Sequence, residues 1–292
     1  RGVEVVLFRL FRTFCVAGLD GPGPRPGLVV DVDDRDDQKA RARFAARAGA
    51  GVTRALVEPL VLRRLGRFLL DRLARADGAW FVAEPDMPAR GDVPAVLMEN
   101  VPLNRPRPEG PRPASQGRDI LFIGSARFAP NNRGLAWFLA SCWPEIARRR
   151  PGTRLRIVGA GDWPGVVAAA PCRDGVEVVG HAPTLDAEYD RARLVICPID
   201  FGGGSKVKLI EACAFVRPVV ATPHASRGFG PEIVAGLSVA EGAGAFVRAC
   251  LAFLDDPDLA DRTGAALGAA QARAYTPEAF RDRVAAELAR VA

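Results

Sequence analysis

Residues 194–222 read LVICPIDFGGGSKVKLIEACAFVRPVVAT. Leu194 to Cys197 is an apolar run of strand length, and Asp200-Phe201-Gly202-Gly203-Gly204 breaks it. Ser205 is placed as a helix N-cap, and from Lys206 to Phe215 the residues Val207, Ile210, Glu211 and Ala214 recur at helical spacing. Pro218-Val219-Val220-Ala221 reads as the next buried strand. The order is strand, glycine loop, helix, strand, which is the unit of a parallel α/β sheet.

Three glycines feeding a helix start make a ready anion site. Backbone without Cβ atoms lets a phosphate come close, the first amide N–H groups lack helical partners, and the helix dipole adds positive potential. The chain holds 40 Lys plus Arg, of which only Lys39, Lys206 and Lys208 are lysines. Two of the three therefore fall on this loop in a chain that otherwise prefers arginine. Taken alone, a GGG-S-K turn is equally well the solvated first turn of a surface helix.

Outward from this stretch the same alternation continues. Asp119 to Gly124 reads as a strand, followed by the loop Ser125 to Arg133 and an amphipathic helix over Gly134 to Arg150. Thr153 to Val158 and Val176 to Val179 read as strands, Leu185 to Ala192 as a short helix and Ile233 to Val239 as a last strand. Helices are expected at Ala243–Leu254, Pro257–Ala274 and Pro277–Val291. Before residue 101, strands are expected at Val3–Phe8, Leu28–Val30, Gly78–Ala83 and Val93–Met98, with a helix within 9–19. Asp36 to Ala76 has helical pattern, in two pieces split near Gly49–Gly51. Residues 101–117 carry five prolines and little apolar periodicity, and are expected to be a stiff linker. The fold class is thus α/β with two Rossmann-like domains. Residues 1–100 form a first domain, 101–117 the linker, 118–275 a second domain and 276–292 a last helix.

Composition excludes several function classes. A net charge of +6 and pI near 9.3 permit nucleic acid or anionic lipid as partners, but arginine is spread along the chain and mixed with acids. With 7% aromatic residues and no basic-aromatic interleaving, no nucleic-acid platform is read. The cysteines Cys15, Cys142, Cys172, Cys197, Cys213 and Cys250 form no C-x-x-C pair and sit mostly in apolar runs, which fits a reducing cytoplasm. No apolar run approaches 18 residues. The basic helix VEPLVLRRLGRFLLDRLARA has two readings, core packing, which its place between strands favours, and a peripheral contact with the inner membrane face.

Other motifs are weaker. Gly159-Ala160-Gly161-x-x-x-Gly165 has one residue too many for a dinucleotide fingerprint, and Pro164 stands where a helix would begin. Asp31-Val32-Asp33-Asp34 after a strand has two readings, a metal-binding carboxylate pair and an acidic helix start; the second is favoured because the phosphate motif lies elsewhere. Two histidines, His181 and His224, are too few for a histidine-rich metal site. No G-x-S-x-G elbow supports a serine hydrolase.

Pro198, Gly202 to Gly204, Lys208, Glu211-Ala212 and Pro218 to Thr222 together resemble the donor-binding motif of group 1 (family 4) glycosyltransferases of the GT-B fold. The resemblance covers about Asp119 to Val239, and Glu99-Asn100-Val101-Pro102 resembles a degenerate form of the family's turn after the last N-domain strand. It implies transfer of a sugar from a nucleoside-diphosphate sugar to a glycan or lipid-linked acceptor, with retention and without a metal or other cofactor. It implies that Glu211 holds the donor ribose and that Lys206 or Lys208 holds the diphosphate, with Gly202, Gly203, Gly204 and Ser205 in the anion turn. Lys208 and Glu211 are then the catalytic pair. The resemblance further brings Gly124, Ser125 and Arg127 to the diphosphate, with Arg133 weaker, and Gly180-His181-Ala182 to the base. Many members carry a second Glu eight positions before Glu211; Gly203 stands there, so that role falls to Asp200 or to backbone amides. The family's N-domain opens with a glycine-rich acceptor loop that is not found ahead of Val3, so the resemblance implies that residues 1–100 are a partial acceptor-side domain lacking about 50 or more residues, that 118–275 is the complete nucleotide-sugar domain and that 276–292 is the helix returning to the N-terminal domain. The other readings are a sugar-nucleotide binding module or partner subunit without transfer activity and, more distantly, an epimerase of the same fold.

Overall fold

The computed structural model describes residues 3–19, 21, 23–33, 35, 37, 40, 52–89 and 91–292. The chain forms two compact units. One comprises Arg1–Asn100, Gly202–Ser205 and Pro277–Ala292, the other Val101–Phe201 and Lys206–Thr276.

The first unit is built on a four-stranded sheet, β1 (Val5–Phe8), β2 (Gly27–Asp33), β3 (Gly78–Phe81) and β4 (Ala95–Leu97), paired in that order and parallel throughout. Strand alternation divides its side chains. Leu28, Val30, Ala79 and Phe81 point into one cluster with Phe14 of the helix Phe11–Ala17 and with Leu69 and Leu73 of the helix Val52–Leu73. Val29, Trp80 and Met98 form a second cluster, covered by Phe280, Val284, Leu288 and Val291 of the helix Pro277–Val291. The expected split near Gly49–Gly51 and Asp34 of the acidic cluster lie outside the described residues. Of that cluster, Asp33 is left-handed at φ 48°, and burial, with Asp33 adding to it, raises the Asp31 carboxyl above its ordinary value. Among the described residues no group of three or more His, Cys, Asp or Glu is placed to hold a metal ion.

The second unit is a six-stranded parallel sheet in the order β10-β9-β8-β5-β6-β7. Its strands are β5 (Asp119–Ile123), β6 (Leu155–Val158), β7 (Val176–Gly180), β8 (Ala192–Cys197), β9 (Val219–Ala221) and β10 (Ser238–Val239). The chain runs outward from β5 to β7, crosses back, and runs outward again from β8 to β10. The order therefore reverses between β5 and β8, the place where such sheets bind ligands at their carboxyl ends. Every residue of β8 is buried, as a strand covered on both faces requires.

Several local expectations are corrected. The helix expected over Gly134–Arg150 is two, Ala129–Ser141 and Trp143–Arg149, with Cys142 between them and a proline in the first turn of the second. The strand expected over Ile233–Val239 is a helix, Pro231–Gly236, followed by the two residues of β10; the apolar run was too short for its period to be read. Pro164 does not prevent a helix but opens one, Trp163–Ala168, capped by Asp162, whose Oδ1 accepts from Gly165 N at 2.9 Å. The proline-rich segment clusters with the second unit. Ser115 N donates to Asp261 Oδ1 (2.7 Å), and buried Arg193 and Arg217 donate to the carbonyls of Gly117 (2.9 Å) and Arg112 (2.7 Å). Among the described residues no helix is long and apolar enough to cross a membrane.

Candidate functional site

At the carboxyl ends of β5 and β8, the helix Val207–Ala214 presents Lys208 and Glu211, three residues apart and so neighbours on one face. Ser205 is not the N-cap. The helix begins after Lys206 without a side-chain cap bond, and the Ser205 hydroxyl instead accepts from Asn100 Nδ2 at 3.1 Å.

The Lys208 ammonium lies inside. It sits 4.7 Å from the centre of the Phe122 ring and donates to Asn131 Oδ1 at 2.5 Å. Burial lowers its pKa to about 8, with Cys197 opposing that shift and Lys206 adding to it. Gly124 ends β5 beside this group. A Cβ there would stand 2.6 Å from Asn131 Nδ2 and 2.8 Å from Lys208 Nζ, so the glycine makes the space the ammonium occupies. Gly159, at φ 134°, has a structural role: its Cβ would meet the Gly124 carbonyl oxygen at 2.0 Å.

Glu211 is 3% exposed. Its Oε2 accepts from the backbone N–H of Asn104 (3.0 Å) and from Asn104 Nδ2 (2.8 Å), and its Oε1 from the Tyr189 hydroxyl (3.3 Å). Burial raises the carboxyl above its ordinary value, and these three bonds oppose the rise. Tyr189 is fixed beneath by stacking on Phe215 at 3.9 Å, and burial, then the Glu211 charge, push its phenol up.

The remaining candidates are more dispersed. Ser125 Oγ accepts from the backbone of Arg127 at 3.3 Å, and the Arg127 side chain is exposed. His181 is exposed after Gly180, whose φ is 71°. Asp200 accepts from Arg133 at 2.5 Å, and that guanidinium lies 4.6 Å over the Phe201 ring. Asp200 and His224 share a cavity of about 340 Å³ with Trp137 and Glu241. Lys206 is buried. Gly202 (φ 107°) and Gly204 (φ 65°) have the left-handed backbone their residue type allows, and within the first unit Gly204 N donates to Asp86 Oδ2 at 3.0 Å.

Sequence reasoning missed Asn104, Asn131 and Tyr189. Asn131 stood in a quoted loop but carried no charge to draw notice. Tyr189 is one of only two tyrosines in the chain, which is a weak signal. Asn104 lies 107 residues from Glu211 and gives none.

Residues 117–256 match the family model described as glycosyl transferases group 1. The chain carries a group 1 glycosyltransferase domain. The helix with Lys208 and Glu211 lies within the matched domain. A Klebsiella pneumoniae protein, described as an uncharacterized 44.6 kDa protein in the cps region, is 32% identical over 120 residues, which are 38% of this chain and 31% of that protein. TarM matches 97% of the chain and 54% of its own length, with 12% identity and a TM-score of 0.70. HepE of Anabaena, solved in complex with UDP, matches 98% and 78% with 12% identity and a TM-score of 0.72. A sucrose-phosphate synthase of Thermosynechococcus elongatus matches 97% and 72% with 17% identity and a TM-score of 0.70. The chain thus spans about half the length of TarM and under a third of the Klebsiella protein. The fold around the group 1 domain is that of the GT-B glycosyltransferases.

Proposed function

We propose that this chain transfers a sugar from a nucleoside-diphosphate sugar to a glycan or lipid-linked acceptor, with retention. The observation that carries the reading is the placement of a half-buried lysine with a desolvated ammonium, Lys208, and a buried carboxylate, Glu211, on one helix face at the reversal of strand order. A diphosphate needs a cation as its bond to the sugar breaks and charge builds on the leaving oxygen. Lys208 is that cation in this reading. Its burial concentrates the effect, because a charge held in a low-dielectric site needs no reorganisation as the reaction proceeds. No divalent ion is called for. Glu211 offers acceptor oxygens to ribose hydroxyls, and His181 and the loop from Gly124 to Arg127 complete the nucleotide's surroundings. HepE, which shares the fold, was solved with UDP, and this supports a nucleoside diphosphate as the ligand class. A peripheral membrane contact through the basic helix remains part of the proposal for lipid-linked acceptors.

The reading is tested by calorimetric titration of the chain with UDP, GDP and ADP, repeated on Lys208→Ala and Glu211→Ala. One nucleotide is expected to bind, and each variant to weaken it by about 1–3 kcal/mol. Variants that bind as tightly as the parent would remove Lys208 and Glu211 from the site. Release of free sugar or glycoside from the matching donor separates a transferase from a binding module.

A further inference from the structure

Asn104 supplies two N–H donors to one oxygen of Glu211, at 3.0 and 2.8 Å. A ribose reaching the same carboxylate would bring hydroxyl donors of its own. Tyr189, the third donor, is fully buried, whereas Asn104 is exposed and Leu103 beside it is 81% exposed. The solvent side of Glu211 is therefore the side Asn104 covers. An ionised carboxylate offers about four lone-pair positions, and three are taken by the protein.

The segment carrying Asn104 is fastened from behind. Arg107 N donates to Asp186 Oδ1 at 2.9 Å, and Arg107 Nη2 to Asp190 Oδ2 at 2.5 Å. Arg112 lies 3.5 Å from the same Asp190 oxygen. Prolines at 102, 106, 108, 111 and 113 limit how far the backbone between these anchors can stray. Asn104 is thus presented to Glu211 with little ordering cost left to be met.

We infer that Asn104 is an internal competitor for the nucleotide, occupying on Glu211 the place of the ribose diol, so that it sets the affinity of the site. The inference rests on the donor-site reading of Glu211. A ligand binds only to the fraction of molecules in which Asn104 has swung away, and its apparent affinity falls by that fraction. A ligand offering one donor in place of Asn104's two leaves a buried acceptor position unmet, so the exchange favours an intact diol over a deoxyribose.

The test is calorimetric titration with UDP, GDP and ADP, and with the 2′-deoxy form of whichever binds, on the parent, Asn104→Ala and Arg107→Ala. Asn104→Ala is expected to bind about three- to tenfold tighter, and Arg107→Ala to shift the same way by a smaller factor. In a Glu211→Ala background the gain from Asn104→Ala should vanish, which a general loosening of the fold would not produce. Weaker or unchanged binding in Asn104→Ala, with parent binding intact, overturns the competitor and makes Asn104 a support for Glu211. Absence of nucleotide binding in every variant overturns the donor-site reading and the competitor together.

Discussion

Lys208 and Asn131 are joined at 2.5 Å, ammonium to amide oxygen, under the ring of Phe122. The bond links the helices of two strand-helix units, and Asn131, in the first turn of the helix Ala129–Ser141, is itself tied down by donating from Nδ2 to the Ser125 carbonyl at 3.1 Å. It gives a desolvated cation a hydrogen-bond acceptor. Asn131→Ala is therefore expected to destabilise the chain by about 1–3 kcal/mol, since a buried donor that loses its partner bears the desolvation cost. Urea denaturation of parent and variant measures it, and a change within about 0.5 kcal/mol would mean the ammonium finds water or another acceptor.

The lowered Lys208 pKa makes a pH-dependent prediction. The folded group titrates at about 8 and the unfolded one near 10.5. Below the folded value both states carry the proton, and folding bears the full cost of burying the charge. Between the two values the unfolded chain holds a proton that the folded chain has released, so this group's contribution to stability rises with pH. Buried Cys142 and Cys213, both pushed up to about 12, act in the opposite sense at alkaline pH, so the difference between parent and Lys208→Met is the clean quantity. Stability of the parent relative to the variant should improve between about pH 7 and about pH 10. A difference that stays flat would show that the ammonium is solvated.

Val216 adopts φ 49°, a left-handed conformation that a β-branched residue seldom takes. The helix Pro257–Ala274 makes room for it with two glycines. A Cβ at Gly264 would lie 2.1 Å from the Val216 carbonyl oxygen, and one at Gly268 would lie 2.7 Å from Val216 Cγ1. Gly268→Ala should cost about 1–3 kcal/mol. Val216→Gly, which removes the clashing methyl and the left-handed strain, should recover most of that. Gly264→Ala should not be rescued in this way, because its clash is with backbone. Thermal melts of the three single and two double variants decide it; equal rescue of both alanines would refute the packing argument.

Trp80 is 4% exposed and lies in the cluster that Phe280, Val284, Leu288 and Val291 cover. Gly27 allows the helix end to approach, since a Cβ there would meet the Val291 carbonyl oxygen at 2.7 Å. Removal of residues 277–292 is expected to expose Trp80 and move tryptophan emission to longer wavelength. The shift should be absent when the same truncation is made in Trp80→Phe. A full-sized shift in that background would place the change at one of the other tryptophans.

Much of the fold and part of the site could be read along the chain. The buried strands at 119–123, 155–158 and 192–197 and the glycine loop before the Lys208 helix follow from local apolar runs and from residues that break them. The helices Pro257–Ala274 and Pro277–Val291 begin and end where periodicity and proline placed them. Lys208 and Glu211 stood out because a rare residue type fell at helical spacing from an acid beside a glycine turn.

Other features depended on residues far apart in sequence. Ser205 has the chemistry of an N-cap, yet its hydroxyl is engaged by Asn100, 105 residues away. Pro231 opened a helix in a segment whose apolar content also suited a strand. The depressed pKa of Lys208, the Asn131 bond and the Asn104 cover on Glu211 come from burial and long-range pairing. The sequence by itself determined the alternation of strands and helices, because local periodicity and residue type decide it, and the family of its domain, because the motif from Pro198 to Thr222 is local. Only the tertiary structure decided which carboxylate is covered, which ammonium is desolvated and where the proline-rich segment is anchored, because those depend on which distant groups exclude water from one another.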